Sequence, residues 1–274
     1  MLSEGKIIAL YCIVDDMLKA LHHYEDARVR VTDAEVITTA FVSVLYFGGH
    51  LDNACRFMQL KGYVPGMLQK SRYNRRLLRL SELLLTMFYQ LGQHLKDMAG
   101  AADYQLDSFP VEVCQRVRMG RCRIVQGRQW CGRCASQGRF FYGVKVQVLT
   151  LWGVPVEVVL VPGRENDTQA LLKLPLQVAP HSCIYMDAGY TCYPCEDVAM
   201  EAEAIHLMID RRGNSRRKDE PCVRFLKKMM RKEVETVFSE ITARMPRSIH
   251  AVTEQGFLLK VALFVIAFAF EQMA

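Results

Sequence analysis

The run FFYGVKVQVLTLWGVPVEVVLVPG, residues 140–163, leaves a chain few choices. Valine recurs on alternate positions with other side chains between, the period-2 pattern of a strand, and Gly153 divides the run into the two arms of a hairpin. A hairpin this apolar needs a sheet around it, and the neighbouring segments supply one. Upstream, DYQLDSFPV reads as a short strand ending at Pro110, because proline cannot continue a central strand. Downstream, NDTQALLKLPLQ reads as a short helix with Asn166 or Asp167 as its cap. The strand CIYMDAGY follows, then the helix PCEDVAMEAEA, the strand AIHLMID, and a long helix from Pro221 to about Ala243. Strand, hairpin, helix, strand, helix, strand, helix is the order of a mixed sheet flanked by helices, an α/β arrangement.

The first hundred residues have a different texture. VTDAEVITTAFVSVLYFGG has capping-box spacing at Thr32 and Glu35, an apolar run, and a stop at Gly48–Gly49. Two more helical segments follow, LDNACRFMQLKG and SRYNRRLLRLSELLLTMFYQLGQHL, separated by a break at Tyr63-Val64-Pro65-Gly66. Short helices joined by tight breaks, the third one basic, suit a helix-turn-helix-like DNA reader and equally suit a plain helical bundle. The expected division is therefore a helical, DNA-binding region over 1–100 and an α/β domain over 101–274, with an arginine-rich insertion at 115–139. The tail FLLKVALFVIAFAF is too short for a membrane span and carries Lys260, so it reads as a buried core helix.

Charge is distributed unevenly. The net charge is only +6 over 274 residues, yet seven arginines and no acid lie between Gln115 and Phe140. Between Arg211 and Lys232, ten Lys or Arg face only Asp219 and Glu220, and Lys70, Arg72, Arg75, Arg76 and Arg79 form a third cluster. Three basic patches on a balanced chain suit a polyanion such as DNA, although any one of them also reads as a solvated face. The N-terminal segment carries acids inside its apolar stretch and lacks a cleavage pattern, so no export signal is expected. The ten cysteines are accordingly expected to be reduced thiols. Cys131/Cys134 and Cys192/Cys195 are CxxC pairs, but they lie too far apart for a zinc ribbon.

Three acids stand out. Asp107 ends the first strand and Asp187 ends the strand CIYM. Glu235 lies on the long helix, off the apolar stripe Met230, Val234, Val237 and Ile241 and one turn from Arg231. Each has a local explanation: a turn acid before Ser-Phe-Pro, an Asp-x-Gly turn, a surface partner of Arg231. Gathered at one sheet edge without a cation they would repel, and one would stay protonated. Hard divalent cations remove that cost, because Mg²⁺ takes carboxylate and phosphate oxygens. Two such ions about 4 Å apart serve both the attacking and the leaving oxygen of a phosphodiester.

The segments SRYNRR, LDSFPVEVC, RFFYGVKVQV with GVPVEVVLVPG, YMDAGY and RFLKKMMRKEVETVFSEI, in that order, resemble the DDE transposases of bacterial insertion sequences, and most closely the IS-nine-eight-two family. The resemblance runs from about residue 30 to the C-terminus. It implies an RNase H-like catalytic domain, a triad at Asp107, Asp187 and Glu235, two Mg²⁺ ions (Mn²⁺ as a substitute), and Arg231 as the arginine four residues before the glutamate. It further implies cleavage at the element's ends, strand transfer into target DNA, a homodimer on DNA, no membrane partner, and residence in a bacterial or archaeal cytoplasm near the nucleoid. DNA contacts are expected from Arg72, Arg75, Arg76, Arg116, Arg118, Lys145, Arg211, Arg212, Arg216, Arg217, Lys228 and Arg231. Three positions depart from the pattern: Lys228 stands where a tyrosine is common, Thr242 where a lysine is common, and Ala188 where family members carry lysine. The triad is untouched by them. A metal-dependent nuclease without strand transfer and an inactive, transposase-derived DNA-binding protein are the competing expectations.

Overall fold

The computed structural model describes residues 4–134 and 138–274. Residues 135–137 of the arginine-rich 115–139 segment therefore lie outside the described residues. The chain divides into two compact units, one running up to Phe88 and resuming over Ile241–Ala274, the other spanning Tyr89–Glu240.

The first unit is helical. It contains α1 (Glu4–Ala20), α2 (Asp33–Phe47), α3 (Leu51–Leu60), α4 (Lys70–Arg79) and the first half of α5 (Ser81–Ala99), with the last helix of the chain, α9 (Glu254–Glu271), returning to it. The capping box at α2 forms as expected: the Glu35 amide donates to Thr32 Oγ1 at 3.2 Å and the Thr32 amide to the Glu35 carboxylate at 2.7 Å. Gly48, at φ 55°, ends the helix in the left-handed region that glycine tolerates. Phe41 of α2 meets Phe270 of α9 with ring centroids 4.9 Å apart, and Phe264, Phe268 and Phe270 are all buried. The apolar tail is thus a core helix. Among the described residues no single helix is long and apolar enough to cross a membrane.

The second unit carries a six-stranded sheet: β1 (Asp103–Cys114), β2 (Cys131–Cys134), β3 (Arg139–Leu151), β4 (Val154–Pro162), β5 (Cys183–Met186) and β6 (His206–Ile209). The order is β2-β3-β1-β5-β6, with β4 on the β2 side of β3. The strands β1 to β4 pair antiparallel, whereas β1, β5 and β6 run parallel. Helices α6 (Asp167–Leu171) and α7 (Tyr193–Glu203) make the crossovers, and α8 (Pro221–Arg244) follows β6. This is the RNase H-like mixed sheet flanked by helices.

The hairpin forms where the valine pattern places it. Trp152 and Gly153 turn the chain with φ of 53° and 75°, and Leu151 pairs with Val154. Two left-handed residues in a row match the twist of the flanking strands. The face of the sheet bearing Leu106, Leu149 and Glu157 meets the second half of α5: Tyr89 donates to the Val158 carbonyl at 2.7 Å, and Lys96 meets the buried Glu157 at 2.7 Å. Leu176 and Gln177 amides also donate to Glu157, so this buried charge is fully satisfied. The opposite face meets α8, where Gln105 donates to Glu233 at 3.0 Å and Phe109 packs on Phe238 with centroids 4.8 Å apart. Val234, Val237 and Ile241 are buried and Met230 half-buried, as the stripe on α8 requires.

Two local expectations are corrected. The first strand does not end at Pro110 but runs on to Cys114, with Pro110 opposite Lys145. Strand β5 pairs with β1 only as far as Leu106, so beyond that point one side of β1 is open and the missing amide hydrogen of Pro110 deprives no partner. Asp107 consequently sits inside β1, where its parallel neighbour stops. Second, Cys192 and Cys195 are joined as a disulfide rather than left as thiols. Cys192 is the N-cap of α7, and the first helical turn brings Cys195 back to a Cα separation of 5.3 Å.

Candidate active site

Register brings the two aspartates together. Leu106 of β1 pairs with Met186 of β5, and the next residue on each strand is an acid, Asp107 and Asp187. Alternation along β1 puts Asp107 on the face of Gln105 and Phe109, which is the face covered by α8. Its carboxylate accepts from the Ser108 amide at 2.7 Å. Burial pushes its pKa up to about 6; the Ser108 amide and the Arg231 charge oppose that rise, while Asp187 and Asp167 add to it.

From α8, Arg231 reaches across to this edge. Its Nη1 lies 3.2 Å from Asp187 Oδ1 and 3.7 Å from Asp210 Oδ2, and its Nη2 lies 3.8 Å from Glu235 Oε1. Glu235 is thereby tied to Asp187 through one guanidinium. The Asp187 side chain is 45% exposed and that of Glu235 62%, so both remain open to a ligand.

Two acids beside the trio were not singled out by the sequence. Asp210 follows Ile209, which pairs with Met186, so it stands level with Asp187 on the third parallel strand. The strand AIHLMID ends in an acid just as CIYM-Asp187 does, and that shared pattern was the available signal. Asp167 opens α6, and its sequence pattern reads only as a cap. A Cβ at Gly189 would stand 3.1 Å from Asp167 Oδ2 and 3.8 Å from Asp187 Oδ2, so the two carboxylates close around a residue that must stay small.

The basic residues divide by what they already hold. Lys145 donates to Asp167 at 3.0 Å and to the Glu165 carbonyl at 2.9 Å, which places it beside the acids and half-buried. Arg211 grips the buried Glu196 with both Nη groups, at 2.9 and 2.5 Å, and Arg217 reaches Glu196 at 3.3 Å and Asp197 at 2.8 Å. Both guanidinium groups lie over the Tyr193 ring. Arg212, Arg216 and Lys228 are exposed, as are Arg116 and Arg118, with Arg116 over the Phe140 ring at 4.9 Å. In the helical unit Arg72 and Arg75 are exposed on α4, while Arg76 pairs with Glu25, Asp33 and the Val31 carbonyl. These α4 arginines border a cleft of about 560 Å³ that Glu25 and Asp33 also line.

Among the described residues no group of three or more His, Cys, Asp or Glu is gathered closely enough to hold a metal ion. The acids along this edge offer the carboxylate oxygens that a hard divalent cation takes, and burial with Asp187 and Asp167 nearby raises the pKa of one of them, Asp107, to about 6. The Arg231 guanidinium stands among Asp187, Asp210 and Glu235 as the positive charge this edge demands.

A family model described as the transposase DDE domain matches residues 100–251, over half of the chain. No curated protein and no solved structure matches it. DDE transposases as a group use divalent metal and act on DNA by phosphoryl transfer. The matched span takes in the whole sheet with its carboxylate edge, and the chain belongs to the DDE-domain transposases.

Proposed function

We propose that this chain cuts an insertion element free at its ends and joins it to target DNA, with Asp107, Asp187 and Glu235 as its catalytic acids. The observation that carries this reading is the register of β1 and β5, which sets Asp107 beside Asp187 under the helix bearing Glu235. The segment motifs further favour an element of the IS-nine-eight-two type.

The three carboxylates would hold two Mg²⁺ ions, or Mn²⁺ in their place, which supply charge stabilisation at the scissile phosphate. In the first step a water oxygen bonds to phosphorus, the bond to the 3′ oxygen breaks, and that oxygen leaves as a hydroxyl. In the second step the freed 3′-hydroxyl bonds to a target phosphorus and displaces the target's own 3′ oxygen. No covalent protein–DNA link is needed, so positioning and charge carry the catalysis. Arg231 and Lys228 hold phosphate at the active edge, and the 211–217 loop and the arginines at 116 and 118 grip the adjacent duplex. The region 63–79, which carries the exposed Arg72 and Arg75 of α4, helps to recognise the terminal repeats. Two ends must be brought together, so the active form on DNA is at least a dimer.

The test uses purified protein, labelled duplexes from the DNA flanking its gene, and a supercoiled target plasmid. Metal-dependent cleavage and joined product, both lost in Asp187→Asn and with EDTA, are expected. Cutting without joining would assign a nuclease instead, and binding without cutting in any divalent metal would assign a DNA-binding protein.

A further inference from the structure

The geometry points to Asp210 as a positioning residue that keeps Arg231 from acting as an internal competitor for the metal site. This inference rests on the reading above and adds to it a residue that the triad does not include.

Arg231 lies on α8 with its side chain largely buried. Its charge acts on Asp107, and its guanidinium has three acidic neighbours within 4 Å, at 3.2 Å from Asp187, 3.7 Å from Asp210 and 3.8 Å from Glu235. The last two exceed hydrogen-bond length, so the group is held by charge rather than by fixed directional bonds. Its Nε is buried and has no hydrogen-bond partner among the described residues, which leaves the two Nη groups as its only anchors. Such a side chain can shift among its partners at small cost.

Two of those partners, Asp187 and Glu235, are proposed metal ligands. A cation held by them repels the guanidinium, and equally the guanidinium resists the cation. Asp210 is the remaining partner, and it is built to stay where it is. Its amide donates to the Met186 carbonyl at 2.9 Å, fixing it level with Asp187. Its Oδ1 accepts from the Arg211 amide at 2.9 Å, leaving Oδ2 directed to Arg231. The Asp210 side chain is only 20% exposed, against 45% for Asp187 and 62% for Glu235, so its attraction is the least screened of the three. Asp210 therefore retains Arg231 at the edge of the site when Asp187 and Glu235 turn to the metal, and the retained arginine is then free to face phosphate.

The experiment measures Mn²⁺ affinity by electron paramagnetic resonance, without DNA, for the wild type, Asp210→Asn, Arg231→Gln and the double variant. Asparagine keeps the Oδ1 acceptor for the Arg211 amide, and a thermal melt of each variant verifies folding. Asp210→Asn is expected to weaken Mn²⁺ binding by about three- to tenfold, the scale of one partly screened ion pair acting through Arg231. Arg231→Gln is expected to tighten binding, and the double variant to match Arg231→Gln, because Asp210 acts only through the arginine. Asp210→Glu, which keeps the charge, is expected to restore most of the affinity. An equal loss from Asp210→Asn with or without Arg231 overturns the inference, as does no loss at all. Asp107→Asn and Asp187→Asn serve as controls: if neither weakens Mn²⁺ binding, the metal-site reading itself fails, whereas a normal response there with an inert Asp210 overturns only the positioning role.

Discussion

Asp107 and Asp187 stand side by side, each one residue past the pair Leu106–Met186 that closes the parallel ladder between β1 and β5. Burial, with Asp187 and Asp167 nearby, lifts Asp107 from 3.8 to about 6. The native state thus holds a proton there that the unfolded chain has already released. Below pH 4 both states are protonated and nothing is lost. Between about pH 4 and 6 stability falls, and above pH 6 the loss is complete, roughly 3 kcal/mol for a shift of this size. Asp107→Asn is accordingly expected to be inactive yet more stable than the wild type at pH 7.5 without metal, with little gain at pH 4. Thermal melts in EDTA at the two pH values check this; an equal gain at both would contradict it.

Arg72 and Arg76 sit one helical turn apart on α4 and are expected to behave differently. Arg76 is about four-fifths buried against Glu25 and Asp33, and its removal takes the guanidinium from both carboxylates, leaving Asp33 with its contact to His23. Arg76→Ala should cost roughly 2 kcal/mol or more in urea denaturation. Arg72→Ala should leave the denaturation curve in place and weaken DNA binding, lowering the slope of log affinity against log salt by about 1 for one lost phosphate contact.

The 211–217 loop is fastened through Glu196, which is 8% exposed and meets both Arg211 and Arg217. Glu196→Ala should release the loop while leaving the sheet folded. Faster amide hydrogen exchange confined to residues 211–217, with weaker DNA binding, is the expected result. Unchanged exchange would show that the Tyr193 ring and Asp197 suffice to hold the loop.

Gly92 lets α5 approach β4 closely, because a Cβ there would lie 2.2 Å from the Val156 carbonyl oxygen. Backbone cannot yield as a flexible side chain does. Gly92→Ala should destabilise the protein by roughly 1–3 kcal/mol, despite the better helix propensity of alanine. A chemical denaturation curve decides whether the clash outweighs that propensity.

Local pattern carried the sequence reading a long way, and long-range pairing marked its limit. The valine alternation of 140–163 gave the hairpin, and Thr32 with Glu35 gave the start of α2, because both signals lie within a few residues. Asp107 and Asp187 were legible as acids closing apolar runs. Asp210 closes one too, but nothing local shows that Ile209 pairs with Met186 and puts this acid level with Asp187. The continuation of β1 past Pro110 depended on where β5 stops, some eighty residues later in the chain. Arg76 has partners 43 and 51 residues away, so a basic cluster read by composition alone could not separate it from Arg72.

The return of α9 to the helical unit has a consequence for biosynthesis. Phe270 of α9 packs on Phe41 of α2, while the residues that form the sheet unit all lie between them in the chain. During translation the residues of the sheet unit are all made before α9, and α1, α3 and α4 can pack on α2 while the side that takes Phe270 stays uncovered until α9 emerges. A nascent chain halted ahead of Glu254 would therefore lack the ring that covers Phe41.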